Sequence, residues 1–429
     1  MSNHFKIKYI DGDARVAKLT TKSGKIETPF FMPVATKTSV KYISSEDLKS
    51  MGNTAVISNA FVLFLRPGDD FFKKVGGIKK LMNYHGINAT DSGGFQMYKD
   101  CFLIKTTKDG VWFRSPFDGK KFFVTPEHDM EIQNNIDSDI AMCLDTMPLI
   151  EHSKDAIVNA IENTTAWAKR CKIHHDKLNL DNNGKLKSQS KRQLLFAITQ
   201  GGIHSKLRKK SCSDLKDLDV DGFSCGGLAL GEDKKDMLKM VKIHKSIVPN
   251  DKPTYLMGLG SPVELMECIG LGVDMFDSRF PTQNARRGTI FTSFGKLRLM
   301  RSEYEHDMKP LDPKCDCFVC KNYSRAFIRY QLGQKEGTGY RLVTYHQLYY
   351  LMRLMENSRK AIKNGKFNSF KKKIISAYEK SDNENLEKIK QDKLRVRSEM
   401  KEIAAKKKKI KDEHRRRSLE GMKKRKSKN

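Results

Sequence analysis

Short runs that are apolar on both faces alternate with amphipathic stretches through the middle of the chain. From about residue 50 to 280 the apolar runs are TAVISNAF (54–61), SDIAMCLD (138–145), QLLFAITQGG (193–202), DGFSCGGLAL (221–230), PTYLMGLG (253–260) and GVDMFD (272–277). Continuous apolarity predicts strands buried on both faces, as in a parallel sheet covered by helices. Between them, SKDAIVNAIENTTAWAKRCKIHH (153–175) and DKKDMLKMVKIHKSIV (233–248) repeat their apolar residues at spacings of three and four, which predicts helices. At least six such units fit a (β/α)8 TIM barrel, of the α/β class, better than the alternative, a doubly wound sheet. The runs end in polar or glycine residues, among them Asn59, Asp145, Gln200, Gly226, Gly227 and Asp277, with Met257 beside them. In a barrel those ends converge on one face, where active sites are built.

The pattern breaks after residue 300. A cysteine-rich insertion is followed by further helical stretches, LYYLMRLMENSRKAIKNGKF (348–367) and FNSFKKKIISAYEK (367–380). The expected division is a barrel over 1–300, the inserted subdomain over 301–350, helices completing the barrel over 351–380, and a basic tail over 381–429. The tail carries KKKK (406–409), RRR (415–417) and KKRK (423–426) and no apolar stripe, which suits a charged helix or disordered chain. DKLNLDNNGKLKSQSKRQ (176–193) reads as a loop.

Charge and cysteines refine this picture. The 429 residues carry 81 Lys+Arg against 51 Asp+Glu, a net of +30, of which the tail supplies +10. A basic body with a basic tail suggests a polyanion partner, nucleic acid first among them; a lysine-rich solvated surface is the bland alternative. No signal-peptide run opens the sequence and no stretch of about 18 apolar residues occurs, so a cytoplasmic protein without a membrane span is expected. Nine cysteines are too dilute for a disulfide scaffold. Cys315, Cys317 and Cys320, however, stand in Cys-x-Cys-x-x-Cys spacing and bring three thiolates within reach of one ion. Zinc wants four N/S ligands, so a fourth must come from elsewhere.

Two further segments carry chemistry. NATDSGGFQMY (88–98) follows Asp91 and Ser92 with two glycines, and GVDMFDSRFPTQNARRG (272–288) ends a strand in Asp277 and runs into arginines. Together with TPFFMPVAT (28–36), FRSPFDGKKFFVTPE (113–127), FAITQGG (196–202), CGGLALGE (225–232) and YLMGLG (255–260), they resemble the tRNA-guanine transglycosylase (queuine tRNA-ribosyltransferase) family. The resemblance runs from about residue 5 to 378. It implies a (β/α)8 barrel with one structural zinc per chain held by Cys315, Cys317, Cys320 and His346.

The resemblance also implies the reaction: exchange of a guanine in tRNA for a 7-deazaguanine without backbone cleavage, at the wobble position of G-U-N anticodons. Asp277 occupies the position of the nucleophile and Asp91 that of the general acid/base. Asp145, Gln200 and the Gly227 N–H would hold the edge of the base, with Ser92 and Leu228 lining the pocket. Phe95 and Met257 would sandwich the ring, and Arg286 and Arg287 would hold phosphates or loop bases. Here Val62 replaces a histidine common in relatives, Met147 lies in a shortened segment, and Leu230 is bulkier than the small residue of queuine users. Leu230 favours an aminomethyl base over queuine as the substrate. A homodimer is expected, with Tyr323, Phe327 and Tyr330 as interface or core. The alternatives are a non-catalytic RNA-binding accessory subunit, or a transglycosylase acting on DNA or on another tRNA site.

Overall fold

The computed structural model describes residues 4–93, 102–147, 152–391 and 400. Its centre is a ring of eight parallel strands: β1 (Phe30–Met32), β2 (Ala55–Asn59), β3 (Ile87–Asp91), β4 (Ile140–Met142), β5 (Leu194–Thr199), β6 (Gly222–Cys225), β7 (Thr254–Leu256) and β8 (Met275–Asp277). Each pairs with its neighbour in chain order, β8 pairs with β1, and one bridge between Val34 and Ile57 joins β1 to β2. The TIM-barrel expectation therefore holds, and the doubly wound alternative does not. All six apolar runs became barrel strands. The two strands not anticipated are β1 and β3.

Inward positions recur every second residue, as the pleat requires. Phe30 and Met32, Ala55 and Ile57, Ile87 and Ala89, Ile140 and Met142, and Leu194, Phe196 and Ile198 form one apolar cluster inside the ring. Phe5, Ala17, Leu19 and Ile26 belong to the same cluster. They come from an antiparallel sheet of Phe5–Asp11, Ala14–Thr21 and Gly24–Glu27, which closes the N-terminal end of the barrel. Outside the ring lie helices such as Pro126–Ile136 and Lys154–Leu178. The Thr125 Oγ1 accepts from His128 N to start the first of these, with Pro126 in its first turn, and Asp137 ends it at φ 61°.

A repeated device pins the N-terminal ends of the strands. Asp139, Asp221 and Asp274 each sit just before a strand (β4, β6, β8), and each carboxylate accepts from a backbone N–H of the preceding strand: Asn88, Leu195 and Thr254 respectively. A cation completes each one. Lys79 lies 3.0 Å from Asp139, Arg192 makes a fork to Asp221 at 2.6 and 2.7 Å, and Arg15 makes one to Asp274 at 3.0 and 2.5 Å.

The C-terminal part is continuous with the barrel. Helix Gly337–Lys363 spans the boundary expected at 350, so the inserted subdomain and the helices after it share one rod. His346 stands in its middle rather than at its start. The next helix covers 367–391 and runs past the expected start of the tail at 381. It docks there through polar contacts, not an apolar stripe. Ser381 Oγ accepts from Lys296 N (2.9 Å), Asn385 Nδ2 donates to the Lys296 carbonyl (3.2 Å), and Lys388 pairs with Glu303. The remainder of the tail, Met400 apart, lies outside the described residues.

The two kinds of ion pair should differ sharply in unfolding experiments. Arg15→Met strands a buried carboxylate and should cost about 3–5 kcal/mol in denaturant unfolding. Lys388→Met breaks a half-exposed pair and should cost less than about 1 kcal/mol.

Candidate active site

Beyond the last apolar layer, the next inward position of several strands is polar. Ile57 is followed by Asn59, Ala89 by Asp91, Ile198 by Gln200, and Met275 by Asp277. Asn59 and Asp91 are direct register partners on β2 and β3. A cavity of about 270 Å³ opens above this layer, walled by Asn59, Asp91, Ser92, Asp145, Gly226, Gly227, Leu228, Tyr255, Met257 and Asp277 among others. Of the anticipated base-site residues, all described ones except Gln200 line it. Gln200 sits directly behind, fully buried. Phe95 lies outside the described residues.

The three carboxylates are held differently. Asp277 Oδ1 accepts from the Tyr255 hydroxyl (2.6 Å) and the Gly258 N–H (2.9 Å). Burial nevertheless raises its proton affinity above the ordinary carboxylate range. Asp91 Oδ2 accepts from Asn59 Nδ2 (3.2 Å), the Ala60 N–H adds a weaker backbone interaction, and no side chain donates to its buried Oδ1. Burial first, then the nearby Asp277 carboxylate, pushes Asp91 up to about 8. Asp145 Oδ1 accepts from the Ser92 hydroxyl (3.0 Å) and Oδ2 from Gln200 Nε2 (2.6 Å). Burial raises it to about 6, with those two donors pulling it back. Asp91, pushed up to about 8, thus favours its protonated form at neutral pH, while Asp277 and Asp145 each accept from two neutral donors.

Asn59 connects backbone to site. Its Oδ1 caps helix Ala60–Leu65 by accepting from Val62 N (2.7 Å), which aims its Nδ2 at Asp91. Val62 therefore meets the site through its backbone N–H. Gly227 has φ 67°, and a Cβ there would come within 2.7 Å of Gln200 Oε1, so only glycine lets this loop close over the amide. Glu232 holds the same loop by accepting from Ala229 N (2.6 Å) and Leu230 N (2.8 Å). Leu230 and Met147 also line the cavity.

Sequence reasoning missed Tyr255, Gly258 and Glu232. The tyrosine sits within an apolar run and reads as core; no local signal marks it. Arg286 and Arg287 are not brought into the cavity wall, where Arg279 and Gln283 stand instead. Arg286 is half-buried, with its guanidinium 5.8 Å from the Tyr42 ring centroid, and Arg287 is exposed.

A second constellation lies apart from the cavity. Cys315, Cys317, Cys320 and His346 bring their ligand atoms within 4.8 Å of one another. The thiol sulfurs stand 3.8, 3.6 and 3.3 Å from His346 Nδ1. His346 Nε2 lies 2.9 Å from the Phe291 carbonyl, a donor geometry that leaves Nδ1 free to ligate. This closed set can hold a metal ion.

Sequence comparison agrees with the geometry. A profile of the family described as queuine tRNA-ribosyltransferase matches residues 11–380. A queuine tRNA-ribosyltransferase of Fusobacterium nucleatum subsp. nucleatum is 44% identical over 377 residues, covering 87% of this chain and 98% of its own length. The protein of that name from Thermodesulfovibrio yellowstonii is 43% identical over 377 residues, covering 88% and 96%. One from Staphylococcus aureus strain N315 is 43% identical over 365 residues, covering 85% and 93%.

The raised Asp91 has a consequence for stability. Its folded form binds a proton more tightly than the unfolded chain, so it costs stability as pH climbs from about 4 towards 8. Asp91→Asn removes that cost. The melting temperature of the variant minus that of wild type should become more positive from pH 5 to pH 8.5; a difference independent of pH would show Asp91 to be an ordinary carboxylate.

Proposed function

The chain belongs to the queuine tRNA-ribosyltransferase family, the tRNA-guanine transglycosylases, and from that premise we propose that it replaces the wobble guanine of G-U-N anticodons with a 7-deazaguanine. The observation that carries the reading is the unequal pair: Asp277 with two donors on one oxygen, Asp91 with an oxygen to which no side chain donates and a raised proton affinity, both facing one cavity.

In this mechanism Asp277 Oδ2 attacks the ribose C1′, because Oδ1 is engaged by Tyr255 and Gly258. The glycosidic C1′–N9 bond breaks as Asp91 gives its proton to the departing guanine, leaving a ribosyl ester on Asp277. The incoming base loses its N9 proton to Asp91 and attacks C1′, which releases Asp277 as carboxylate. Two displacements conserve the configuration. Asp145 accepts from the N1 and exocyclic amine of the base, the Gly227 N–H and Gln200 hold its carbonyl edge, and Met257 packs on the ring, with Phe95 as its counterpart. The target nucleotide leaves its stack to enter so narrow a cavity. Leu230 and Met147 line the cavity with bulky side chains, which favours an aminomethyl-sized substituent over the cyclopentenediol of queuine.

The Cys3His set fits zinc, which would serve a structural role: four N/S donors leave no open coordination position. Nearby, Tyr323 stacks on Phe327, and Phe327 and Tyr330 are exposed, which supports a homodimer contact over core packing. Arg286, Arg287 and the basic tail would meet tRNA phosphates, and the setting would be the cytoplasm.

Exchange of labelled guanine into transcribed tRNA tests the function. Wild type should label tRNA bearing a G-U-N anticodon; Asp277→Asn and tRNA with the wobble G replaced should give no label. A wild type that binds tRNA but exchanges nothing would support the accessory-subunit reading instead. The pH profile of kcat/KM should be bell-shaped, lost on the alkaline side near 8 as Asp91 surrenders its proton, and on the acid side as Asp277 becomes protonated. Competition between the aminomethyl base and queuine should favour the former. Elemental analysis should find one zinc per chain, lost in Cys317→Ser together with thermal stability.

A further inference from the structure

Helix Ser205–Leu215 reads as an ordinary amphipathic helix, yet it places Arg208 at 0% exposure, outside the cavity but directly behind two of its loops. No carboxylate pairs with this guanidinium among the described residues. Its hydrogen bonds go to backbone carbonyls and, from Nη1, to the Thr199 hydroxyl (3.3 Å) instead. Nη1 donates to the Thr199 carbonyl (2.8 Å), and Nη2 to the carbonyls of Gly226 (2.8 Å) and Gly202 (3.2 Å). The neighbouring ring, His244, is kept neutral by burial and by the Arg208 charge, so it neither adds to nor offsets that charge. A buried cation without a counter-ion is costly, and its neutral partners return only part of that cost.

The acceptors share one property: all lie at the end of β5 or on the loops that follow β5 and β6. Gln200, the residue after Thr199, is fixed as well by donating its N–H to Ser211 Oγ (2.9 Å) from the same helix. Gly201 lets the loop approach the helix, since a Cβ there would lie 2.6 Å from Arg208 N. At β6 the geometry is more specific. The Gly226 carbonyl and the Gly227 N–H belong to one planar trans peptide and point in opposite directions. Pulling the carbonyl towards Arg208 turns the N–H towards the cavity.

We propose that Arg208 is a positioning residue for base selection: by holding the Gly226 carbonyl from behind, it aims the Gly227 N–H at the carbonyl edge of the bound base. The inference rests on the base-pocket reading above. Lysine keeps the charge but offers a single ammonium on a shorter reach, so it cannot serve three carbonyls spread over the end of β5 and two loops.

Steady-state exchange by the full-length, zinc-loaded chain tests this with wild type, Arg208→Lys and Arg208→Met. In Arg208→Lys the KM for free guanine should rise on the order of tenfold, the size expected for one misdirected hydrogen bond. The KM for tRNA should stay within about twofold, and the preference for guanine over 6-thioguanine, whose sulfur accepts weakly, should narrow. An unchanged guanine KM, or a parallel loss in kcat and both KM values with that preference intact, would overturn the proposal. Should Arg208→Met fail to fold, calorimetric binding of guanine to Arg208→Lys decides the matter, weakened binding supporting the proposal and wild-type binding refuting it. A wild type that neither exchanges nor binds guanine would remove the base-pocket reading and this inference with it. A wild type that binds guanine beside an unaltered Arg208→Lys would remove the inference alone.

Discussion

The alternation of side chains along eight closed parallel strands governs the rest of this molecule. Because inward positions recur every two residues, the barrel interior is filled by apolar side chains such as Ile57, Ala89, Ile198 and Met275. The next inward residues, Asn59, Asp91, Gln200 and Asp277, then stand on a dry floor with an open cavity above. Packing below excludes water from one side of each carboxylate, and that is the first cause of the raised proton affinities of Asp91 and Asp277. The same layer that stabilises the barrel therefore prepares its chemistry.

Charge is divided between the two ends of the barrel. At the N-terminal end Asp139, Asp221 and Asp274 are buried, each with a lysine or arginine and a backbone N–H, so their charges are compensated. At the C-terminal end Asp91, Asp145 and Asp277 have no cation partner among the described residues, only neutral donors. The guanidinium closest in kind, Arg208, is spent on backbone carbonyls. A paired carboxylate would be a poor acid and a poor nucleophile; an unpaired one costs stability and keeps its reactivity.

Much of this was legible in the sequence, for physical reasons that also explain what was not. Six strands announced themselves because both their faces are buried in apolar surroundings. β1 escaped notice because it has three residues between Pro29 and Pro33. β3 reads INATD, whose Asn88 and Thr90 mimic solvent-facing positions but are fully buried, bonded to Ser58 Oγ and to Gln133. Asp145, Gln200, Gly227 and Asp277 were visible as polar breaks at strand ends, whereas Asp91 was visible only through the DSGG segment and the resemblance it carries. Tyr255 and Arg208 were not, since one sits inside an apolar run and the other among lysines on a helix. Their environments are set by partners far away in the chain. The docked turns after Ser381 were hidden similarly, because they bind through polar contacts that no hydrophobic stripe reports.

The proposed exchange needs an acid at Asp91 that keeps its proton at neutral pH beside a carboxylate at Asp277 that does not. Selective carboxyl-carbon labelling of aspartate, followed by an NMR titration of the ligand-free protein beside Asp91→Asn, addresses this directly. One resonance should titrate near pH 8 and vanish in the variant. If the resonance that vanishes in Asp91→Asn instead titrates below about pH 6, Asp91 has no proton to give at neutral pH, and the division of labour between Asp91 and Asp277 fails.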